Sequence, residues 1–178
     1  MLGHSYGALC ALDASLLTRN VRKLVLYEPP IDVSDEKINP PGLIDRLKAL
    51  LEAGEREGVV ATMLREAAGV PPEVVEYMRS LPAWQARVAA AHTIPRELRT
   101  QEAHRFDPEG FESLEVPTLL LVGGNSPSAF EKAVKAVSDF QRISGSCELR
   151  LYGVLTAGFS EHDPSPMMHI CGLEEGFV

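Results

Sequence analysis

Two short apolar runs constrain this chain more than anything else in it. The first, Val21-Arg22-Lys23-Leu24-Val25-Leu26-Tyr27, is polar at its start, continuously apolar after it, and is followed by Glu28-Pro29-Pro30. The second, Val116 to Val122, reads VPTLLLV and ends in Gly123-Gly124-Asn125-Ser126-Pro127. Short runs without alternation are the pattern of strands covered on both faces, and such strands belong to parallel sheets. The double proline forbids further ladder pairing after the first run. The second run ends in turn residues and helix N-caps.

Helical patterns surround both runs. Ala8 to Leu17 carries Ala8, Ala11, Leu12 and Ser15 along one face, small enough for close packing on a sheet, and Asn20 marks a stop. Phe130 to Phe140 is amphipathic, with Phe130, Ala133, Val134 and Val137 inward. Cys147 to Tyr152 alternates and reads as a short strand, with Leu149 and Leu151 facing one way. Between residues 31 and about 110 the pattern changes to four short helices separated by Gly and Pro. They centre on Leu43–Leu51, Val59–Ala67, Val74–Met78 and Ala83–Ala91. Strands alternating with helices imply parallel crossovers, hence the α/β class with a helical insertion.

A chain of 178 residues has room for one domain with a sizeable core, and 45% hydrophobic with 24% charged residues is a globular composition. The net charge of −8, with no basic stripe, argues against nucleic acid or an anionic membrane as partner. No apolar run is long enough to span a bilayer, and the start of the chain has no secretory pattern. Cys10, Cys147 and Cys171 lack metal spacing and are expected to be free thiols in a reducing compartment, which makes the cytoplasm the expected location.

Gly3-His4-Ser5-Tyr6-Gly7 fits G-x-S-x-G, the sharp strand-to-helix turn that presents a serine hydroxyl. Taken alone the pattern is weak, because many serines between glycines sit in plain loops. Its weight comes from the helix and strand that follow it. A serine becomes a nucleophile when a base takes its proton and donors stabilise the oxyanion. The Tyr6 N–H, next after Ser5 and at a helix N-terminus, is a candidate donor.

GHSYGALCALDASLL, then VRKLVLYEPP, then the helical stretch, then VPTLLLVGGNSP, resembles the C-terminal two-thirds of an α/β-hydrolase with a cap domain. The resemblance covers residues 1 to about 152, to the broad group of serine hydrolases and esterases. It implies a partial α/β-hydrolase fold: residues 1–30 and 111–155 as core, supplying the last three strands of a mostly parallel sheet, 31–110 as cap, and 156–178 as an irregular tail. It also implies earlier strands ahead of the serine, so the chain is expected to be a fragment or to start at an internal methionine. The open sheet edge is expected to leave it poorly stable or to drive self-association.

The resemblance places a catalytic acid at a strand end. Asn125 occupies the usual position, but an amide cannot stabilise imidazolium with charge. Glu28, at the preceding strand end, is preferred, as in haloalkane dehalogenases, against the plainer reading of a strand-end glutamate in solvent or paired with an arginine. The base should follow Leu151-Tyr152-Gly153-Val154-Leu155, where Thr156 stands instead. His162 is the nearest substitute, against the reading of an exposed tail histidine. His4 should point away from the nucleophile, and His92 and His104 fall in the cap.

The resemblance thus implies a serine hydrolase acting through Ser5, Glu28 and His162, with Tyr6 in the oxyanion hole. A small, largely apolar ester-like substrate would lie under the cap near Trp84. No metal or organic cofactor is implied. The alternatives are a catalytically inactive hydrolase-like domain, or the same triad used for C–C bond hydrolysis or cofactor-free perhydrolysis.

Overall fold

The computed structural model describes residues 1–33, 37–106, 114, 116–124, 126–143 and 147–148. The chain divides into two compact units, one formed by Met1–Val33 with Phe106–Val178 and the other by Ser34–Arg105.

The first unit is built on a parallel sheet of four strands, β1 (Leu2–His4), β2 (Leu24–Tyr27), β3 (Thr118–Leu121) and β4 (Cys147–Glu148), ordered in space as in the chain. Both apolar runs form adjacent strands, registered from Leu24 opposite Thr118 to Tyr27 opposite Leu121. The polar start of the first run stays outside β2. All four residues of β3 are buried, as its unbroken apolar pattern requires.

The partial α/β fold expected from sequence is present, with one strand more than the three anticipated. Strand β1 is the three residues directly ahead of Ser5, and β2 supplies its ladder. Leu2 lies opposite Val25 and His4 opposite Tyr27. The Met1 carbonyl accepts the Val25 N–H at 2.9 Å, and the terminal ammonium donates to the Lys23 carbonyl at 2.7 Å.

Helix α1 (Tyr6–Leu17) joins β1 to β2 and buries Ala8, Leu9, Ala11, Leu12 and Ser15. The small residues bring it close to the strand. A Cβ on Gly3 would collide with the Gly7 carbonyl and lie 2.6 Å from the Ala8 Cα, so this position accepts glycine alone.

The second unit is helical: α2 (Leu43–Glu52), α3 (Arg56–Glu66), α4 (Pro72–Arg79), α5 (Ala83–Ala90), a 3-10 turn over Ala91–Thr93, and α6 (Ile94–Ala103). Its core gathers Leu43, Leu47, Val59, Val60, Val75 and Trp84. Helix α6 goes beyond the four helices expected. Its inner face carries Ile94, Leu98 and the buried Gln101 at helical spacing, and a glutamine in an apolar slot breaks the pattern. Pro95 sits in the first turn, where its missing N–H costs nothing.

In the first unit, α7 (Ser128–Ile143) links β3 to β4 and buries Phe130, Ala133, Val134 and Val137, the four residues expected inward. Residues 149–152 of the expected last strand, and the expected tail at 156–178, lie outside the described residues.

Candidate active site

Parallel neighbours bring their carboxyl ends to the same edge of the sheet. Here that edge carries Ser5 after β1, Glu28 after β2, and Gly123, Gly124 and Ser126 after β3. Two hydrogen bonds extend the ladders one residue past the strands: Ser5 N–H to the Tyr27 carbonyl at 2.9 Å, and Glu28 N–H to the Leu121 carbonyl at 3.0 Å.

Among the described residues, Ser5 (φ 53°) and Glu28 (φ 50°) are the two non-glycine positions with positive φ. Such backbone costs on the order of 1–3 kcal/mol per residue and persists where its surroundings fix it. At Ser5 the cause is the turn itself. The chain leaves β1 and enters α1 without an intervening loop, so Ser5 is both the end of the ladder and the N-cap of the helix. Serine hydroxyls commonly cap helices, yet this one makes no cap hydrogen bond and the residue is exposed. Ala8 and Leu9 donate their N–H groups to the Ser5 carbonyl. The N–H groups of Tyr6 and Gly7, first in the helix, have no acceptor within it and crown the positive end of its dipole.

Glu28 sits in a cradle. Its Oε1 accepts the Gly123 N–H at 2.9 Å and the Ser126 hydroxyl, and its side chain is 14% exposed. Its Oε2 lies 3.9 Å from His4 Nε2. The His4 ring stacks on Tyr27 with centroids 4.6 Å apart and planes at 23°. Burial raises the Tyr27 phenol above its ordinary value, and the neighbouring Glu28 charge raises it further.

The structure thus brings Ser5, Tyr6 and Glu28 to one edge. Asn125 and His162 lie outside the described residues. Trp84, expected near the substrate, is 2% exposed and packed into the core of the helical unit, with the Arg79 guanidinium 5.1 Å above its ring. An indole is large and mostly apolar, and a bundle of short helices uses it first as core. His92 is exposed, its Nδ1 3.1 Å from the Ala89 carbonyl.

Sequence reasoning missed Gly123 and Ser126 as partners of Glu28. The available signal was register, since two adjacent parallel strands must end beside each other and their terminal loops must meet. Among the described residues no three His, Cys, Asp or Glu side chains cluster as metal ligands. A cavity of about 590 Å³ beside Met1 and Asn20–Lys23 lies at the opposite, amino ends of the strands.

A serine at positive φ on an exposed strand-to-helix turn has the backbone geometry of the nucleophile-elbow motif of α/β proteins. The comparisons agree. A family model described as "Alpha/beta hydrolase family" matches residues 1–164, and the chain belongs to that family. A crystal structure of an alpha/beta hydrolase from Sphaerobacter thermophilus is similar at 30% identity and a TM-score of 0.70. The match covers 84% of this chain and 58% of that one. No curated protein matches the chain. No helix among the described residues is long and apolar enough to cross a membrane.

Proposed function

We propose that the chain carries the nucleophile and acid of a serine hydrolase that cleaves an ester-like bond in a small, largely apolar substrate. The observation that supports this most is Ser5, an exposed N-cap serine in strained backbone whose hydroxyl is not engaged by its helix. The Ser5 Oγ attacks the carbonyl carbon and its proton passes to a histidine, for which His162 is proposed. The oxyanion is held by the Tyr6 N–H at the start of α1. Collapse expels the alcohol, which takes the proton from the histidine and leaves an acyl-serine. Water, deprotonated by the same histidine, then releases the acid. Glu28 orients the imidazole and stabilises its cationic form.

Residues 31–110 are proposed as the cap over the substrate, and the cytoplasm as the location. The β1 edge is proposed as a self-association surface. Among the described residues β1 pairs with β2 alone, and Met1 and Leu2 are 53% and 61% exposed.

A fluorophosphonate probe should label the purified protein at Ser5, with Ser5→Ala abolishing the label. Folded protein that takes no label sinks the catalytic reading. It would favour the second one, a hydrolase-like domain without turnover, which the threonine at position 156 supports.

A further inference from the structure

The loop after β3 contains no Asp or Glu from Val116 to Phe130. What it offers at the site is donors. Gly123 N–H and the Ser126 hydroxyl both reach Glu28 Oε1, across 95 and 98 residues of chain. Space around the contact is as specific as its polarity. A Cβ on Gly123 would strike the Ser126 hydroxyl and come within 3.0 Å of Oε1. The backbone of Glu28 is fixed too, by its N–H on the Leu121 carbonyl and by the buried Pro29 and Pro30 that follow.

A glutamate has three side-chain torsions, and a free one spreads its carboxylate over many positions. Two donors on one oxygen remove that freedom and give the two oxygens different tasks. Oε1 is anchored by charge-assisted hydrogen bonds, and Oε2 is left for an incoming donor. The titratable groups facing it among the described residues are His4, at 3.9 Å, and Tyr27.

We infer that Ser126 is a positioning residue of the hydrolase: its hydroxyl, together with Gly123 N–H, clamps Glu28 so that Oε2 is presented to the catalytic histidine. This rests on the reading of Glu28 as the acid. Ser126 acts on turnover through Glu28 and makes no contact with substrate. The role belongs to the hydroxyl, so threonine should serve and alanine should not.

The test is p-nitrophenyl acetate hydrolysis by wild-type protein, Ser126→Ala, Ser126→Thr, Gly123→Ala, Glu28→Gln and Glu28→Gln/Ser126→Ala, each checked for folding by thermal melting. Ser126→Ala should lower kcat about tenfold, the scale seen when a partner behind a functional group is removed, with KM unchanged. Ser126→Thr should recover most of that loss, and Glu28→Gln should lose more. The double variant should be no worse than Glu28→Gln alone, because a clamp has nothing to do once its carboxylate is gone.

Wild-type kcat in Ser126→Ala beside a collapsed Glu28→Gln overturns the clamp and leaves the acid standing. A tenfold loss that persists in the Glu28→Gln background does the same. If Ser126→Ala fails to fold, Gly123→Ala carries the test by the same comparison with Glu28→Gln. Wild-type kcat in Glu28→Gln, or no hydrolysis by the wild-type protein, overturns the acid assignment and the clamp together.

Discussion

The two units of this chain hold their charges and their backbone strain in opposite ways. In the sheet unit, two non-glycine residues sit at positive φ and a carboxylate is largely enclosed beside three strand ends. In the helical unit, every described residue at positive φ is a glycine. Its charges meet in exposed or half-exposed pairs, Arg46 with Glu66 and Arg79 with Glu57. Its one tryptophan is core. Strain and enclosed charge cost stability wherever they occur. Finding both at one sheet edge and neither among the helices separates a strained edge that holds an enclosed carboxylate from a unit shaped by packing.

Substitutions can break that contrast. The largest effect is expected at Ser5. Ser5→Gly should lower hydrolysis by about 10⁴-fold or more, the scale of losing a nucleophile, while melting no lower than wild type, because glycine tolerates φ 53°. A drop in Tm would show that the turn is not strained. Trp84→Ala should do the reverse, destabilising the protein by about 3–5 kcal/mol in denaturant. Its fluorophosphonate labelling of Ser5, measured well below the melt, should stay within about twofold. Strongly slowed labelling would return Trp84 to the substrate site.

Gly3→Ala should cost about 1–3 kcal/mol, the range for overpacking, and should slow labelling as well, because α1 must shift where it carries the Tyr6 N–H. The smallest effect is at Tyr27. Its phenol holds its proton above pH 10.0 in the folded protein, so stability is intact below that pH and falls as pH rises past it. Ultraviolet titration should show one late-ionising tyrosine. Glu28→Gln should bring it part of the way back, leaving the contribution of burial. No change in Glu28→Gln would separate Tyr27 from the site.

Much of this was legible in residue order. The unbroken apolar runs located β2 and β3, and the spacing of Phe130, Ala133, Val134 and Val137 gave the inner face of α7. Gly3, Ser5 and Gly7 marked the turn because a strand cannot become a helix so abruptly without small or strained residues. Glu28 was legible as a strand-end carboxylate. Its cradle was not, because a hydroxyl 98 residues away leaves no local pattern. The packing of Trp84 was hidden for the same reason: composition tells that an indole is present, but not what surrounds it. Helix α6 escaped because Gln101 stands where periodicity looks for an apolar residue.

The strand order β1-β2-β3-β4 has a consequence for how the protein is made. The contact between β1 and β2 closes a short stretch of chain, with the terminal ammonium and Lys23 separated by 22 positions. The hydrogen bond from Gly123 to Glu28 closes 95. That is about two doublings of loop length, or about 1.2 kcal/mol of additional closure entropy, unless the intervening helices have already folded and shortened the path. Contacts so distant in sequence form slowly. As the chain emerges from the ribosome, the serine turn and its helix can assemble early, whereas Glu28 acquires its partners only after the whole helical unit has been synthesised. The Ser5 turn is therefore in place before the Glu28 carboxylate is held, and the proposed site is completed late in folding.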